Sequence, residues 1–454
     1  MKQFKTTLEN VKERSYEVPL NELLNTFRQA IEIARKLGIF YLWIDALCIV
    51  QDDEEELHST IPIMGHIYAN SCLTIAAAVS SLNPNEGSVC FNSRSTPVYN
   101  LAGSFCRGVE LSNTLSTGEE SRLLVYETLD LPDMTHHVIP KATTPLTGCP
   151  LSTRGWVFQE KMLSPRTIHF TSTQLVWECK ELLANEDGLP TMPPRGSDLS
   201  SRRPSAFSGG LLSGDKYEWY TDIATEYSRR QFTNCGDRMR ALSGVAWAYA
   251  RLHRHQYLAG MWKHTLAEGL GWIRKPFPTN RYHDGGSTNL DPPPKLPTWC
   301  WMSHPFEVEW QLLGTRSYHA TLSQVQVEMS YVAVMSDSIA AQQDMEPFRE
   351  IRRGSLTVRG LGKAIECDQR NWGMEIIFYP DQKNEPPQLS GTDVLRHVLV
   401  LYTSERNTVA MCLVVVALPD GSGFTRVGCI RCHGSETELE SWYKSCTVQE
   451  YNLV

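Results

Sequence analysis

The chain has 454 residues, more than one hydrophobic core normally spans, so we expect two or three domains. Hydrophobic residues make up 41% and charged residues 21% of it, as in soluble globular proteins, and the net charge of −8 argues against nucleic-acid binding. The 13 cysteines have no regular spacing, and the N-terminus lacks a signal-peptide core, which predicts free thiols in the cytoplasm. No apolar run is long enough to predict a membrane span.

The first predicted elements are a helix and a strand. Apolar residues at helical spacing after Thr26 predict a helix that ends at Gly38. The short apolar run at 39–44 (IFYLWI) predicts a buried strand, and Asp45 follows it directly. Ligands bind beyond the carboxyl ends of parallel strands, so Asp45 is a candidate site residue. The alternative is that its side chain only caps a turn.

A second helix and strand follow. Residues 52–71 predict a helix with acidic residues in its first turn, and Pro62 is expected to kink or restart it. The apolar run at 72–79 (CLTIAAAV) predicts another buried strand. A strand, a helix and a strand in this order favour a parallel crossover unit.

The next segment mixes loops with short elements. Residues 81–121 are rich in Asn, Ser and Gly and predict a loop-rich insertion, followed by a strand at 123–127. Residues 155–163 predict a short helix. Residues 167–170 and 174–179 predict two strands joined by a tight polar turn.

The predicted helix at 155–163 carries the second candidate site. Trp156, Gln159 and Glu160 would share one face of it, where an aromatic ring, an amide and a carboxylate could hold a polar ligand. The alternative is that Trp156 packs in the core and Glu160 pairs with Arg154 or Arg166.

Composition divides the chain into four parts. Residues 1–182 predict an α/β domain, and 183–215, dense in Pro, Gly and Ser, predict a linker. Residues 216–310 are predicted to be mainly helical and 311–454 to be β-rich. The helices are expected at 217–229, 238–252 and 256–272, and the clearest strands at 355–358, 375–379, 398–402 and 411–417.

The run CIRCH at 429–433 matches the pattern for covalent haem attachment. We reject this interpretation because the sequence has no export signal and the run follows a predicted strand in the β-rich tail. A zinc site is also not expected, since few partner ligands lie elsewhere.

Several blocks of the chain occur in an order that is typical of one family of fungal proteins. They are FRQAIEIARKLGI at 27–39, YLWIDALCIVQD at 41–52, MGHIYANSCLTIAA at 64–77 and RGWVFQEKMLSPR at 154–166. Together they resemble the heterokaryon-incompatibility (HET) domain over residues 20–180. Three further blocks, at 237–246, 257–262 and 297–303, are similar to what often follows such a domain.

The resemblance implies a role in fungal non-self recognition, in which fusion of incompatible cells triggers programmed cell death, a form of innate immunity. It implies a three-layer parallel sheet like those of TIR and flavodoxin domains. The partners would be other incompatibility or NLR-type proteins, or a second copy of the chain. The family normally opens with a strand ending in Ser-Tyr-x-Trp-Gly, which this sequence lacks. We therefore also expect either a gene model that starts late or a degenerate, inactive copy.

The likeness to TIR domains implies two classes of function. In the first the domain is a signalling and interaction module. In the second it cleaves NAD, with Glu160 or Asp45 stabilising the positive charge on the ribose as nicotinamide leaves. The substrate-binding residues would then be Gln51, Arg154, Trp156, Gln159 and Cys48. NAD would be a substrate, and no cofactor or metal is expected.

Overall fold

The computed structural model describes part of the chain in two units. The units, divided by their contacts, are Met1–Ser213 and Gly214–Val454. The described residues are 4–78, 98–101, 104–114, 120–126, 150–171, 175–179, 183–185, 218–275, 296–311, 318–320, 322–331, 351–365, 374–381, 396–404 and 408–454. Within these ranges no helix is both long and apolar enough to cross a membrane. The domain limits drawn from composition stay predictions, and most of the expected linker, 186–215, lies outside the described residues.

The helices of the first unit follow the sequence pattern closely. The predicted helix before Gly38 is confirmed; Gly38 has a φ of +70°, the left-handed conformation that ends helices. Pro62 lies in a 3₁₀ turn at Ile61–Ile63 that divides the next helix in two, as expected. The helices of the described part are α1 (Val11–Arg14), α2 (Asn25–Lys36), α3 (Asp45–Cys48), α4 (Glu54–Thr60), α5 (Met64–Ala69) and α6 (Gly155–Leu163).

Two sheets occur in the described part of this unit. The strands are β1 (Thr74–Ala76), β2 (Val98–Leu101), β3 (Ser104–Thr114), β4 (Glu120–Tyr126), β5 (Arg166–Phe170), β6 (Leu175–Cys179) and β7 (Leu183–Asn185). One sheet has the order β1-β5-β6-β7, with β1 and β5 parallel and the other pairs antiparallel. The other sheet is an antiparallel β2-β3-β4 meander. The strands predicted at 123–127, 167–170 and 174–179 are confirmed where they are described.

Two predictions for this unit are wrong. Residues 39–44 form no strand, although the structure describes all of them, and Phe40 and Tyr41 are 91% and 93% exposed. Their flanking backbone groups bond to helices instead: the Ile39 N–H donates to the Ala34 carbonyl (2.8 Å), and the Ile44 carbonyl accepts from Cys48 (2.8 Å). The parallel partner of β1 is therefore β5, later in the chain. The predicted loop at 81–121 contains β2, β3 and the start of β4; its other residues lie outside the described ranges.

The helices of the second unit were predicted only in part. A π-helix at Trp219–Ala224 continues into α7 (Thr225–Ser228), and α8 (Asp237–His253) matches its prediction. The helix predicted at 256–272 is wrong. Ala259 and Gly260 have φ of 47° and 90°, a left-handed turn that no helix contains. The remaining α-helices in the described residues are α9 (Leu266–Gly269) and α10 (Glu436–Lys444).

The second unit is β-rich towards its C-terminus, as predicted. Its strands are β8 (Tyr257–Leu258), β9 (Met261–Trp262), β10 (Trp272–Arg274), β11 (Val308–Trp310), β12 (Tyr318–Ala320), β13 (Gln324–Tyr331), β14 (Ile351–Ile365), β15 (Glu375–Pro380), β16 (Arg396–Ser404), β17 (Val409–Ala417), β18 (Phe424–His433) and β19 (Thr447–Leu453). The long strand β14 pairs with both β19 and β16, so the pairings β14-β16-β17-β18-β19 run in a closed ring. Apolar side chains of β16, β17 and β18 pack with α10 in one buried cluster. The four strands predicted in this region are confirmed.

The chain is therefore a mixed α/β protein, as the sequence predicts. The sheet of the first unit has one parallel pairing among its described strands, between β1 and β5. The finer expectation, a three-layer parallel sheet, stays a prediction.

Candidate functional site

Both candidate sites in the sequence belong to the same part of the first unit. Asp45 is the first residue of α3, and Glu160 lies in the last half of α6. Helix α5, which carries Tyr68, packs against α6. Asp45, Arg154 and Tyr68 all act electrostatically on the Glu160 carboxyl, so the structure brings these four side chains into one polar cluster. We call it the Glu160 cluster.

The position of Asp45 is fixed by hydrogen bonds around α3. Its carboxylate accepts from the N–H of the next residue, Ala46, at 2.7 Å. A turn cap of the usual kind reaches the N–H two residues on, so the turn-capping alternative stays a prediction. The Gln51 amide donates to the carbonyls of Asp45 (3.1 Å) and Ile49 (3.2 Å). The Gln51 side-chain amide, which was predicted to bind substrate, thus stabilises the turn that follows α3.

The backbone and the hydroxyl of Thr6 also form hydrogen bonds with α3 and with the turn that follows it. The Thr6 N–H donates to the Ala46 carbonyl at 2.9 Å, and its carbonyl accepts from the Gln51 N–H at 2.9 Å. The Thr6 hydroxyl donates to the Leu47 carbonyl at 2.7 Å. These bonds satisfy two carbonyls of α3 and one N–H just beyond it, in a helix too short to hold its own shape.

Glu160 is held by the end of its own helix and by β1. The Ser164 hydroxyl donates to the Glu160 carbonyl at 2.7 Å. The same hydroxyl lies 2.6 Å from the hydroxyl of Thr74, in β1. Ser164 thus links the backbone of Glu160 to the sheet, which fixes the position from which the Glu160 side chain extends.

The protonation of Glu160 is unusual for a glutamate. Burial and the negative charge of Asp45 raise its pKa from 4.5 to about 7, while Arg154 and a hydrogen bond from Tyr68 oppose the rise. At neutral pH the carboxyl is therefore protonated in a large fraction of molecules. A carboxyl poised near the working pH can both give and take a proton, which is the property of a general acid or base.

Tyr68 is the member of the cluster that the sequence analysis did not single out. Its phenol bonds to the Glu160 carboxylate, and its ring contacts Trp43 edge-on, with 5.6 Å between ring centroids. Burial, and next the charges of Glu160 and Asp45, raise the pKa of Tyr68 far above its usual value. The phenol therefore stays protonated and can only donate to the carboxylate. The residue does occur in one family-like block, but nothing local in that block indicates a contact with α6.

The other predicted site residues lie in different environments. Arg154 is exposed and precedes α6, and its charge acts on Glu160, in line with the pairing considered as an alternative. Trp156 is partly buried, and Gln159 is only 1% exposed, so its amide does not face solvent. Cys48 is an exposed free thiol. The roles of these residues in binding stay predictions.

A second buried polar group lies on the sheet of the same unit. His169 Nε2 is 2.8 Å from Glu178 Oε2 across β5 and β6, and Lys161 Nζ is 3.9 Å from the same oxygen. Both members of the closer pair are nearly inaccessible, with side chains 8% and 4% exposed. Such buried pairs need their partners to offset desolvation, and we regard this one as part of the packing between α6 and the sheet.

In the second unit, the cysteines of the CIRCH run are parts of the β18 strand. Cys429 and Cys432 are fully buried, and burial raises the pKa of Cys429 to about 11. A thiol of this kind is unreactive. Cys432 belongs to the apolar cluster beneath α10, so the run is accounted for by packing.

Residues 2–160 match the family described as "Heterokaryon incompatibility protein (HET)". This stretch of the chain is therefore a HET domain. Asp45, Tyr68, Arg154 and Glu160 all lie within the matched residues, and the HET domain links the chain to heterokaryon incompatibility in general. No curated protein and no solved structure matches the chain.

Proposed function

We propose that this HET-domain protein acts as a signalling module of fungal non-self recognition, in the cytoplasm, and that its HET domain triggers cell death when incompatible cells fuse. The observation that carries the proposal is the family match over residues 2–160. The partners would be other incompatibility or NLR-type proteins, or a second copy of the chain. The fold would be TIR-like, an idea supported by the parallel pairing of β1 with β5.

A signalling module needs a surface for its partner, and residues 39–44 supply the best candidate in the described part of the first unit. Phe40 and Tyr41 are 91% and 93% exposed, next to Leu37 at 54%. Adjacent exposed aromatic side chains are costly in water and are typical of contact surfaces. Tyr16 is 93% exposed in another segment and offers a matched control.

The test is killing in living cells. The full chain is overexpressed from an inducible promoter in a fungal host, and colony survival is counted. We expect the wild type to kill, the double variant Phe40→Ala/Tyr41→Ala to lose killing, and Tyr16→Ala to retain it. No killing by the wild type, with protein levels verified, contradicts the role in cell death. Undiminished killing by the double variant contradicts the proposed surface.

A second candidate function, NAD cleavage, is favoured by the Glu160 cluster. The cluster contains two carboxyl groups and one arginine, so its net charge is negative in those molecules in which Glu160 is ionised. A negative charge suits a substrate that develops positive charge. In NAD the bond between the ribose and the nicotinamide nitrogen breaks, and nicotinamide leaves with the bonding electrons. The ribose becomes an oxocarbenium-like cation, which a nearby carboxylate stabilises.

The two carboxyl groups would then have different roles. The Asp45 carboxylate would face the developing positive charge. Glu160, with a pKa of about 7, would take the proton from the water that attacks the ribose, so that ADP-ribose, nicotinamide and one proton result. Arg154 would contact phosphate, and Trp156 would stack on a ring.

Nicotinamide release tests this candidate. The purified chain is incubated with NAD, and the products are separated by chromatography. Release that disappears in Glu160→Gln and Asp45→Asn but persists in the surface control Glu32→Gln supports it. If the wild type releases none, yet all three variants still kill cells, the enzymatic candidate is rejected and the signalling proposal stands.

A further inference from the structure

We propose that Tyr68 is the positioning residue of the Glu160 cluster: its phenol donates a hydrogen bond to the Glu160 carboxylate and holds that group beside Asp45 and Arg154. The idea rests on the second candidate function in that it concerns the same site. It can be tested without any enzymatic activity.

The placement of Tyr68 suits this role. Helix α5, which carries it, packs against α6. Its ring meets Trp43 edge-on, at an interplanar angle of 80°, so the ring has a neighbour that restricts its rotation. Trp43 lies two residues before Asp45. The ring of Tyr68 therefore lies between the segment that leads to Asp45 and the helix that carries Glu160.

The chemistry of the phenol makes it a one-way donor. Because the pKa of Tyr68 is held far above its usual value, the hydroxyl keeps its proton throughout the pH range in which Glu160 titrates. Its bond to Glu160 is strongest when Glu160 is ionised, since a charged acceptor binds a donor more tightly than a neutral one. Tyr68 thus stabilises the ionised form, against the effects of burial and of Asp45.

These opposing effects predict the direction in which the pKa of Glu160 changes when Tyr68 is altered. Burial and Asp45 raise the pKa of Glu160, and the Tyr68 bond and Arg154 lower it. Removing only the hydroxyl should therefore raise the pKa further. Tyr68→Phe does this while keeping the ring that contacts Trp43. Tyr16→Phe removes a phenol at an exposed position of the same unit and is the matched control.

The experiment is a titration of Glu160 in the full chain. The protein is labelled with ¹³Cδ-glutamate, and the Glu160 signal is assigned by its absence in Glu160→Gln. We expect the midpoint in Tyr68→Phe to lie about one pH unit above that of the wild type, the effect of losing one hydrogen bond to a charged group. Tyr16→Phe should titrate as the wild type does. An unchanged midpoint in a folded Tyr68→Phe variant overturns the proposal.

A second variant keeps the test decisive if Tyr68→Phe does not fold. Introducing 3-fluorotyrosine at position 68 makes the phenol more acidic and so a stronger donor. The Glu160 midpoint should then fall below that of the wild type, a direction that a purely structural role of the ring does not produce. No downward movement in this folded variant also overturns the proposal.

The outcomes separate this inference from the enzymatic candidate. If the wild type cleaves NAD, its pH profile should move with the Glu160 midpoint in both variants; a profile that stays fixed rejects the positioning role in catalysis. If the wild type releases no nicotinamide but the midpoints move as expected, NAD cleavage fails and the positioning of Glu160 by Tyr68 stands.

Discussion

Replacing Glu160 with glutamine should stabilise the first unit at alkaline pH. Glutamine has nearly the shape of glutamate but cannot ionise, so it avoids the cost of charging a carboxyl beside Asp45 in a desolvated position. The pKa of Glu160 is about 7 in the folded protein and 4.5 ordinarily. At about 1.4 kcal/mol per pH unit, this difference corresponds to roughly 3 kcal/mol of unfolding free energy.

The pH range of the effect follows from the direction of the shift. Between about pH 4.5 and pH 7 the folded state binds the proton more tightly than the unfolded state, so the wild type loses stability as pH rises. Below that range both states are protonated, and the variant should gain little. Above pH 7 the whole cost is present, and Glu160→Gln should be more stable than the wild type by up to about 3 kcal/mol.

The assay must report on the first unit alone. Urea unfolding is followed by pulsed hydrogen–deuterium exchange and mass spectrometry, which reads peptides from α6 separately from those of the second unit. The measurement is made at several values between pH 4 and pH 8.5, with Glu32→Gln as control. A difference between Glu160→Gln and wild type that does not grow with pH, or that has the opposite sign, refutes the reasoning.

Three further predictions concern stability. Gly260→Ala should cost several times more unfolding free energy than Gly421→Ala, although both glycines have positive φ. A Cβ at position 260 would lie 2.5 Å from a tryptophan ring nitrogen, whereas a Cβ at position 421 would have no atom within 4 Å. Asp381→Asn should destabilise the second unit by about 3–5 kcal/mol in urea unfolding, since it leaves the charge of Arg426 buried without its carboxylate, now at 2.9 Å. Asp53→Ala should cost about 1 kcal/mol and increase amide exchange in α4, because it removes the side chain that caps that helix.

Local patterns predicted those elements whose formation depends on near neighbours in the chain. Helix α6 has the predicted limits, 155–163, and α2 ends where Gly38 was expected to end it. Pro62 divides its helix because the effect of proline on the backbone is local. In each case the residues that decide the structure lie within one or two turns of it.

Elements that depend on distant partners were predicted less well. Residues 39–44 have the composition of a buried strand, but a strand forms only where another strand can pair with it, and β1 pairs with β5. The false helix at 256–272 has a different cause. Its apolar content fits a helix, whereas the left-handed turn at Ala259 and Gly260 gives the hairpin β8–β9.

The candidate site was also predicted only in part, because some of its features depend on contacts between distant parts of the chain. Asp45 and Glu160 could be selected because each stands out within its own segment. Tyr68 could not, because its importance comes from the packing of α5 on α6 and from burial, neither of which is visible in the residues around it. The raised pKa of Glu160 is likewise a property of the folded environment.

The three bonds that join Thr6 to the backbone of α3 and to Gln51 have a practical consequence for chimaeras. Exchanging the first 20 residues between two proteins of this kind would also exchange one side of the framework that orients Asp45. In a hybrid joined at that point, Asp45 would lose its own framework although every carboxylate is intact. Junctions placed after residue 53 keep both partners of these bonds from one parent.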